Sequence, residues 1–151
     1  MKDQLIERMY DLSKKPYQKF FKKNKPWTIS KSELLQHKPE TLGFHLGNFL
    51  TNHHFEIQPK LEDHDVIHVL TNTGISVREE IGMQFYLLGN GKRSLYLYMV
   101  IFTGFMFYLS HYQYFINQYK RGKSAHKFHQ LDFSKLLSQP IAVIQETFKI
   151  A

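Results

Sequence analysis

Apolar residues in this chain recur every three or four positions and no two-residue alternation persists, so the pattern predicts helices throughout. Ser30 or Ser32 can cap a short helix through Leu35, and Lys38-Pro39 ends it. A second helix starting at Glu40 or Thr41 carries Leu42, Leu46, Phe49 and Leu50 on one stripe. Gln58-Pro59-Lys60 then breaks the chain, and Glu62 opens a third helix. Asn72-Thr73-Gly74 reads as its stop, and Ser76 with Glu79 forms a capping box for a fourth helix that runs to Gly89-Asn90-Gly91.

Leu95 to Leu109 is the most apolar stretch, yet it is shorter than the roughly 20 residues needed to span a bilayer. Ser110, His111 and Gln113 follow at once, which predicts a buried central helix rather than a transmembrane one. A helix apolar on all sides needs neighbours on all sides, or a hydrophobic guest on one of them. Gly104, between Met99 and Met106, leaves room for a groove that takes a hydrophobic guest, or for a plain aromatic core. Tyr112, Phe115, Ile116 and Tyr119 continue the helical stripe. Lys120-Arg121-Gly122-Lys123 reads as a basic turn, and Ile141 to Phe148 as a closing helix. The expected class is all-α: a single-domain multi-helix bundle with a buried aromatic-rich central helix.

Composition adds scale and compartment. With 151 residues, 42% hydrophobic, the chain can bury one core and make one domain, here residues 31–151 behind a basic amphipathic segment, residues 1–30. The absence of cysteine excludes a disulfide framework and thiolate-rich metal sites. Acidic residues near Met1 and the lack of an apolar leader predict a cytoplasmic protein. Much of the +7 charge sits on Lys14, Lys15, Lys19, Lys22, Lys23 and Lys25, interleaved with Tyr17, Phe20, Phe21 and Trp27. That segment suits a solvated basic helix, or an anionic membrane surface at the inner face of the cell membrane. No zinc-finger, RNA-recognition or DNA-reading signature accompanies it, so nucleic acid is not expected as a partner. The sequence gives no oligomeric state.

The stretch from Glu62 to Gly82 carries the chemistry. At about 100° per residue, His64, Asp65 and His68 leave one helix face within roughly a quarter-turn. Glu79 is occupied at the cap, which frees Glu80 to fold back over the imidazoles through a tight helix-turn-helix. Two imidazoles with one or two carboxylates suit a divalent ion, zinc first and iron or manganese next. Asp65 is either a fourth ligand or an acceptor orienting an imidazole. His45, His53 and His54 beside the second stripe read more simply as surface or core histidines.

His64-Asp65-Val66-Ile67-His68, eleven residues, then Glu80 resembles the signature of the coenzyme Q biosynthesis protein 4 family. Glu62, Thr41-Leu42-Gly43 with Phe49-Leu50, and Arg121-Gly122-Lys123-Ser124-Ala125 extend the resemblance over residues 40–145. Val66 and Ile67 stand where the family commonly has aromatic residues, and Asn72-Thr73-Gly74 replaces its Gly-x-Pro turn. The resemblance implies a ubiquinone-synthesis protein that removes the ring carboxyl group of a hydroxy-polyprenylbenzoate, in some members with hydroxylation at the same carbon. It implies partner enzymes in a membrane-associated complex.

Three functions fit these readings. The first is a metal-dependent decarboxylase of a polyprenylated quinone precursor, with Arg78, Arg121 and Lys123 as candidates for its carboxylate or a phosphate head group. The second is a non-catalytic isoprenoid-lipid scaffold with structural zinc. The third is a phosphohydrolase built from His53 or His54, His64-Asp65 and Asp132; it leaves His68 and the spacing to Glu80 unexplained.

Overall fold

The computed structural model describes residues 25–150, together with Gln4, Leu5 and Arg8. Most of the basic amphipathic segment, including Lys14, Lys15, Lys19, Lys22 and Lys23, lies outside the described residues. Those described form seven α-helices and no β-strand. The chain runs α1 (Lys31–Leu35), α2 (Leu42–Asn52), α3 (Glu62–Thr71), α4 (Val77–Gly89), α5 (Leu95–Phe107), α6 (Tyr112–Ser124) and α7 (Ile141–Phe148). Short 3₁₀ turns at Leu109–His111 and Phe133–Leu136 join the later helices.

The caps follow the residues that predict them. Ser30, not Ser32, caps α1, in a capping box with Glu33, and Thr41 caps α2 by accepting from the Phe44 N–H. Asn72 ends α3 in the left-handed conformation at φ 51°, which its short polar side chain tolerates. Ser76 and Glu79 form the capping box of α4. Gly74 serves by its size: a Cβ there would lie 2.5 Å from the Glu79 carboxylate, which would have to shift on the cap to admit it.

The main core joins Leu34, Leu42, Leu46 and Leu50 to Val66, Ile67 and Leu70, and to Met83, Tyr86, Leu87, Phe128 and Phe133. A second cluster, Val77, Ile81, Val100, Tyr108 and Phe115, fastens α5 and α6 onto α4. Phe85 stacks on Phe115 at 5.0 Å between centroids. Helices α4 and α6 cross almost backbone to backbone: a Cβ on Gly89 would stand 2.1 Å from the Tyr119 carbonyl oxygen, and one on Gly122 1.9 Å from that of Tyr86. Beyond the crossing, the buried Asn90 amide donates to the His126 carbonyl at 2.9 Å and accepts from the Phe128 N–H at 3.1 Å, which fixes the chain after α6.

Two sequence expectations are corrected. Lys120-Arg121-Gly122-Lys123 is no turn but the last part of α6, held helical because Gly122 lets α4 come close. Helix α5 is not a buried central helix. Only Leu97, Val100 and Gly104 are buried, while Phe102 and Phe105 are 66% and 63% exposed. The sequence is apolar on every side of α5, and periodicity cannot say which sides have neighbours.

Candidate metal centre

Helix α3 opens with Glu62, Asp63 and Asp65, whose charges suit the positive end of a helix. Glu62 is buried, and its Oε1 accepts the Trp27 N–H at 2.9 Å, so it ties the preceding segment to α3 rather than facing the imidazoles. One turn on, His64 and His68 project from the same face, as their i, i+4 spacing requires. Asn72 then reverses the chain, and the Ser76 cap aims the first turn of α4 back at them.

Three side chains converge there. The His68 Nε2 lies 3.2 Å from the His64 Nε2 and 3.0 Å from the Glu80 Oε1; the His64 Nε2 lies 3.4 Å from the Glu80 Oε2. The three donor groups stand within 4.8 Å of one another and can hold a metal ion. Ligands about 2.0–2.2 Å from a zinc ion stand roughly 3.0–3.5 Å from each other, the spacing found here. Asp65 is not in this group; its negative charge acts on His68. Glu79 stays on the Ser76 cap.

The hydrogen bonds of His68 define what the site needs. Its Nδ1 is 3.1 Å from the Thr73 carbonyl oxygen, which can only accept, so Nδ1 carries the proton and donates. In neutral His68 the Nε2 lone pair then faces the Glu80 carboxylate, acceptor against acceptor, with the His64 Nε2 beside both. A single positive charge among the three atoms resolves the conflict, supplied either by a second proton or by a cation. Thr73 supplies the hydrogen bond that fixes a ligating imidazole in one tautomer and orientation. The ring of Phe49 stacks on His68 at 5.6 Å and covers one face of it.

Electrostatics agree with this geometry. Burial opposes charge on His68, but the hydrogen bond and charge of Glu80, then the Thr73 carbonyl and Asp65, raise its pKa. Burial likewise opposes charge on Glu80, whose side chain is 24% exposed, yet His64 and His68 hold its carboxyl well below the ordinary carboxylate range. Without a bound ion, His68 contributes stability that is full below its ordinary value of 6.5 and is lost as pH rises through its raised folded value. Glu80 contributes stability present above its ordinary value of 4.5 and lost as pH falls through its depressed one. The metal-free protein is therefore expected to melt highest between these limits. Glu80→Gln should flatten the alkaline limb of a Tm profile taken from about pH 5 to about pH 9.

Glu79→Gln, which keeps a side chain able to serve at the third position of the capping box, is expected to cost less than about 1 kcal/mol of stability and to leave metal binding unchanged. Metal loss from Glu79→Gln and none from Glu80→Gln, measured by titration, would place the ligand one residue earlier.

The candidate head-group residues lie on α4 and α6. The exposed Arg78 lies over the Tyr114 ring at 4.9 Å. Arg121 donates to Gln118 at 2.8 Å and lies 5.6 Å over Tyr86, and its Nη2 is 3.5 Å from the Thr71 carbonyl oxygen at the end of α3. Lys123 is exposed in the last turn of α6. His53 stacks on Phe55 and meets Phe49 edge-on, and Asp132 pairs with Ser134 and Lys135, so neither belongs to the cluster.

Two features escaped the sequence reading. Thr73 acts through its backbone carbonyl, which no side-chain pattern marks. Gln84, one turn beyond Glu80 on α4, is buried, and its Oε1 has no hydrogen-bond partner among the described residues. Only its i, i+4 relation to Glu80 could have drawn attention to it.

No protein-family model matches the chain, and no curated protein sequence does. Among solved structures, it is similar to a protein of Nostoc punctiforme PCC 73102 provisionally named as a ubiquinone biosynthesis protein. The TM-score is 0.67 at 15% identity, with 94% of this chain and 81% of the other covered. At that identity the likeness establishes a shared helical fold.

Proposed function

We propose that this chain is a metal-dependent protein of quinone biosynthesis that acts on a polyprenylated aromatic acid. The observation that carries the proposal is the convergence of His64, His68 and Glu80, with His68 oriented by the Thr73 carbonyl. The helical fold shared with a protein named for ubiquinone biosynthesis is consistent with a place in quinone biosynthesis.

His64, His68 and Glu80 would hold a divalent ion, zinc first and iron or manganese next. Such an ion supplies Lewis-acid polarisation of a phenolate or carboxylate oxygen. The protein's own residues fix the rest. Thr73 holds the proton of His68 on Nδ1, Phe49 shields one face of that ring, and the Gln84 Oε1 offers a buried acceptor one turn from Glu80. Arg121, through whichever donors its neighbours leave, and Arg78 and Lys123 at the surface are the cations for the substrate's anionic group. In simple decarboxylation of a hydroxy-polyprenylbenzoate, the ring carboxyl leaves as carbon dioxide and the ring carbon takes a proton.

The test is carbon dioxide release from that benzoate, presented in detergent micelles to metal-loaded protein, with and without dioxygen. Release that disappears in Glu80→Ala supports the reading, and equal release from the variant contradicts it. The exposed apolar face of α5 favours one second reading, a lipid-binding scaffold with structural zinc. In that case a prenyl lipid co-purifies with the protein and is not turned over.

A further inference from the structure

The face of α5 turned away from the core has no partner among the described residues. Leu95, Met99, Phe102, Phe105 and Met106, with Leu109 in the turn that follows, are all exposed. At 100° per residue they centre on one side of the helix, and the buried Leu97, Val100 and Gly104 centre about 170° away. The inward side is seated on α4, where a Cβ on Gly104 would meet the Ile81 Cγ2 at 2.4 Å. The outward side is a continuous apolar strip of the kind soluble monomers rarely leave open.

Charge distribution identifies what covers it. From Ser94 to Tyr119, 26 residues, the chain has no Asp, Glu, Lys or Arg. The exposed Arg93 stands just before this segment, and the exposed Lys120 and Lys123 just after it. Even Thr103 needs no water, since its hydroxyl donates to the Met99 carbonyl at 2.9 Å. Tyr98 and Tyr112, each amphipathic and exposed, add rings of the kind favoured at a membrane interface. Two copies joined through this face would bring like charges at its ends together, with no acidic residue in the segment to offset them. An anionic lipid surface complements both the apolar strip and the basic ends.

Among the described residues no single helix is long and apolar enough to cross a bilayer; α5 and the segment after it pass that test only as a pair, bent by 102° at their junction. A helix of 13 residues is about 20 Å long, short of the roughly 30 Å hydrocarbon core.

We propose that α5 and the turn after it form a monotopic docking surface that lies in the interface of an anionic bilayer, with Phe102 and Phe105 inserted and Arg93, Lys120 and Lys123 at the headgroups. The surface stands on its own observations, independently of the metal centre.

The experiment is flotation of the full chain with phosphatidylcholine vesicles and with vesicles containing about 30% phosphatidylglycerol. Wild type is expected to float with the anionic vesicles, and high salt to weaken this. Phe102→Ser/Phe105→Ser should reduce the floated fraction at least tenfold, with circular dichroism and metal content unchanged, since both side chains lie outside the core. Flotation unchanged in that variant but lost in Lys19→Gln/Lys22→Gln/Lys23→Gln would overturn the proposal and assign membrane contact to the basic N-terminal segment. Failure of wild type to float, with a dimer in light scattering that the Phe102/Phe105 variant dissociates, would overturn it in favour of a second copy.

Discussion

His68→Ala is expected to lower affinity for zinc by at least about 100-fold, a larger effect than the roughly 10–100-fold typical of removing a residue that only orients a ligand. His68 is the centre of the cluster: its Nε2 is within 3.2 Å of both other donors, and its Nδ1 is anchored on Thr73. The substitution removes one ligand and the stop that holds Glu80 in place. Because a metal that binds only the folded state stabilises it by mass action, the rise in Tm on adding zinc should largely vanish in the variant. Asp65→Asn is the matched control. Asp65 acts on His68 through its charge and lies outside the three-residue group, so it should lose less than His68→Ala. Competition with a chromophoric chelator measures both.

Gly122→Ala is expected to destabilise the fold by about 3 kcal/mol or more, the upper range of overpacking, because the added Cβ would lie 1.9 Å from a backbone oxygen. Tyr86 cannot rotate its carbonyl away without breaking α4, and α4 carries Glu80. The same change at Gly104 meets the Ile81 side chain and no backbone atom, so Gly104→Ala should cost less, about 1–2 kcal/mol. Urea denaturation of the two variants separates these values. Equal costs would mean that the α4–α6 crossing is looser than its geometry.

The grouping of His64, His68 and Glu80 was legible because its parts are local. The i, i+4 histidines, the Asn72 stop and the Ser76/Glu79 box lie within 17 residues and depend on short-range hydrogen bonding. The box consumes Glu79, and by doing so it assigns Glu80 to the imidazoles. The all-α class was equally plain from the periodicity. What failed depends on distant neighbours. The run from Lys120 to Lys123 looks like a turn until α4 is placed against Gly122, and α5 looks central until its outward face is found without a partner. Gln84 and the Thr73 carbonyl stayed hidden because their importance arises from where they are placed, not from what they are.

The central claim, that His64, His68 and Glu80 hold one metal ion, is tested most directly by elemental analysis of protein purified anaerobically and supplied with metal, wild type beside Glu80→Ala. The account predicts close to one ion per chain in the wild type and a small fraction of that in the variant, with Glu79→Gln like the wild type. Metal-free wild-type protein, or equal metal in wild type and Glu80→Ala, would contradict it. The three side chains would then share only a proton.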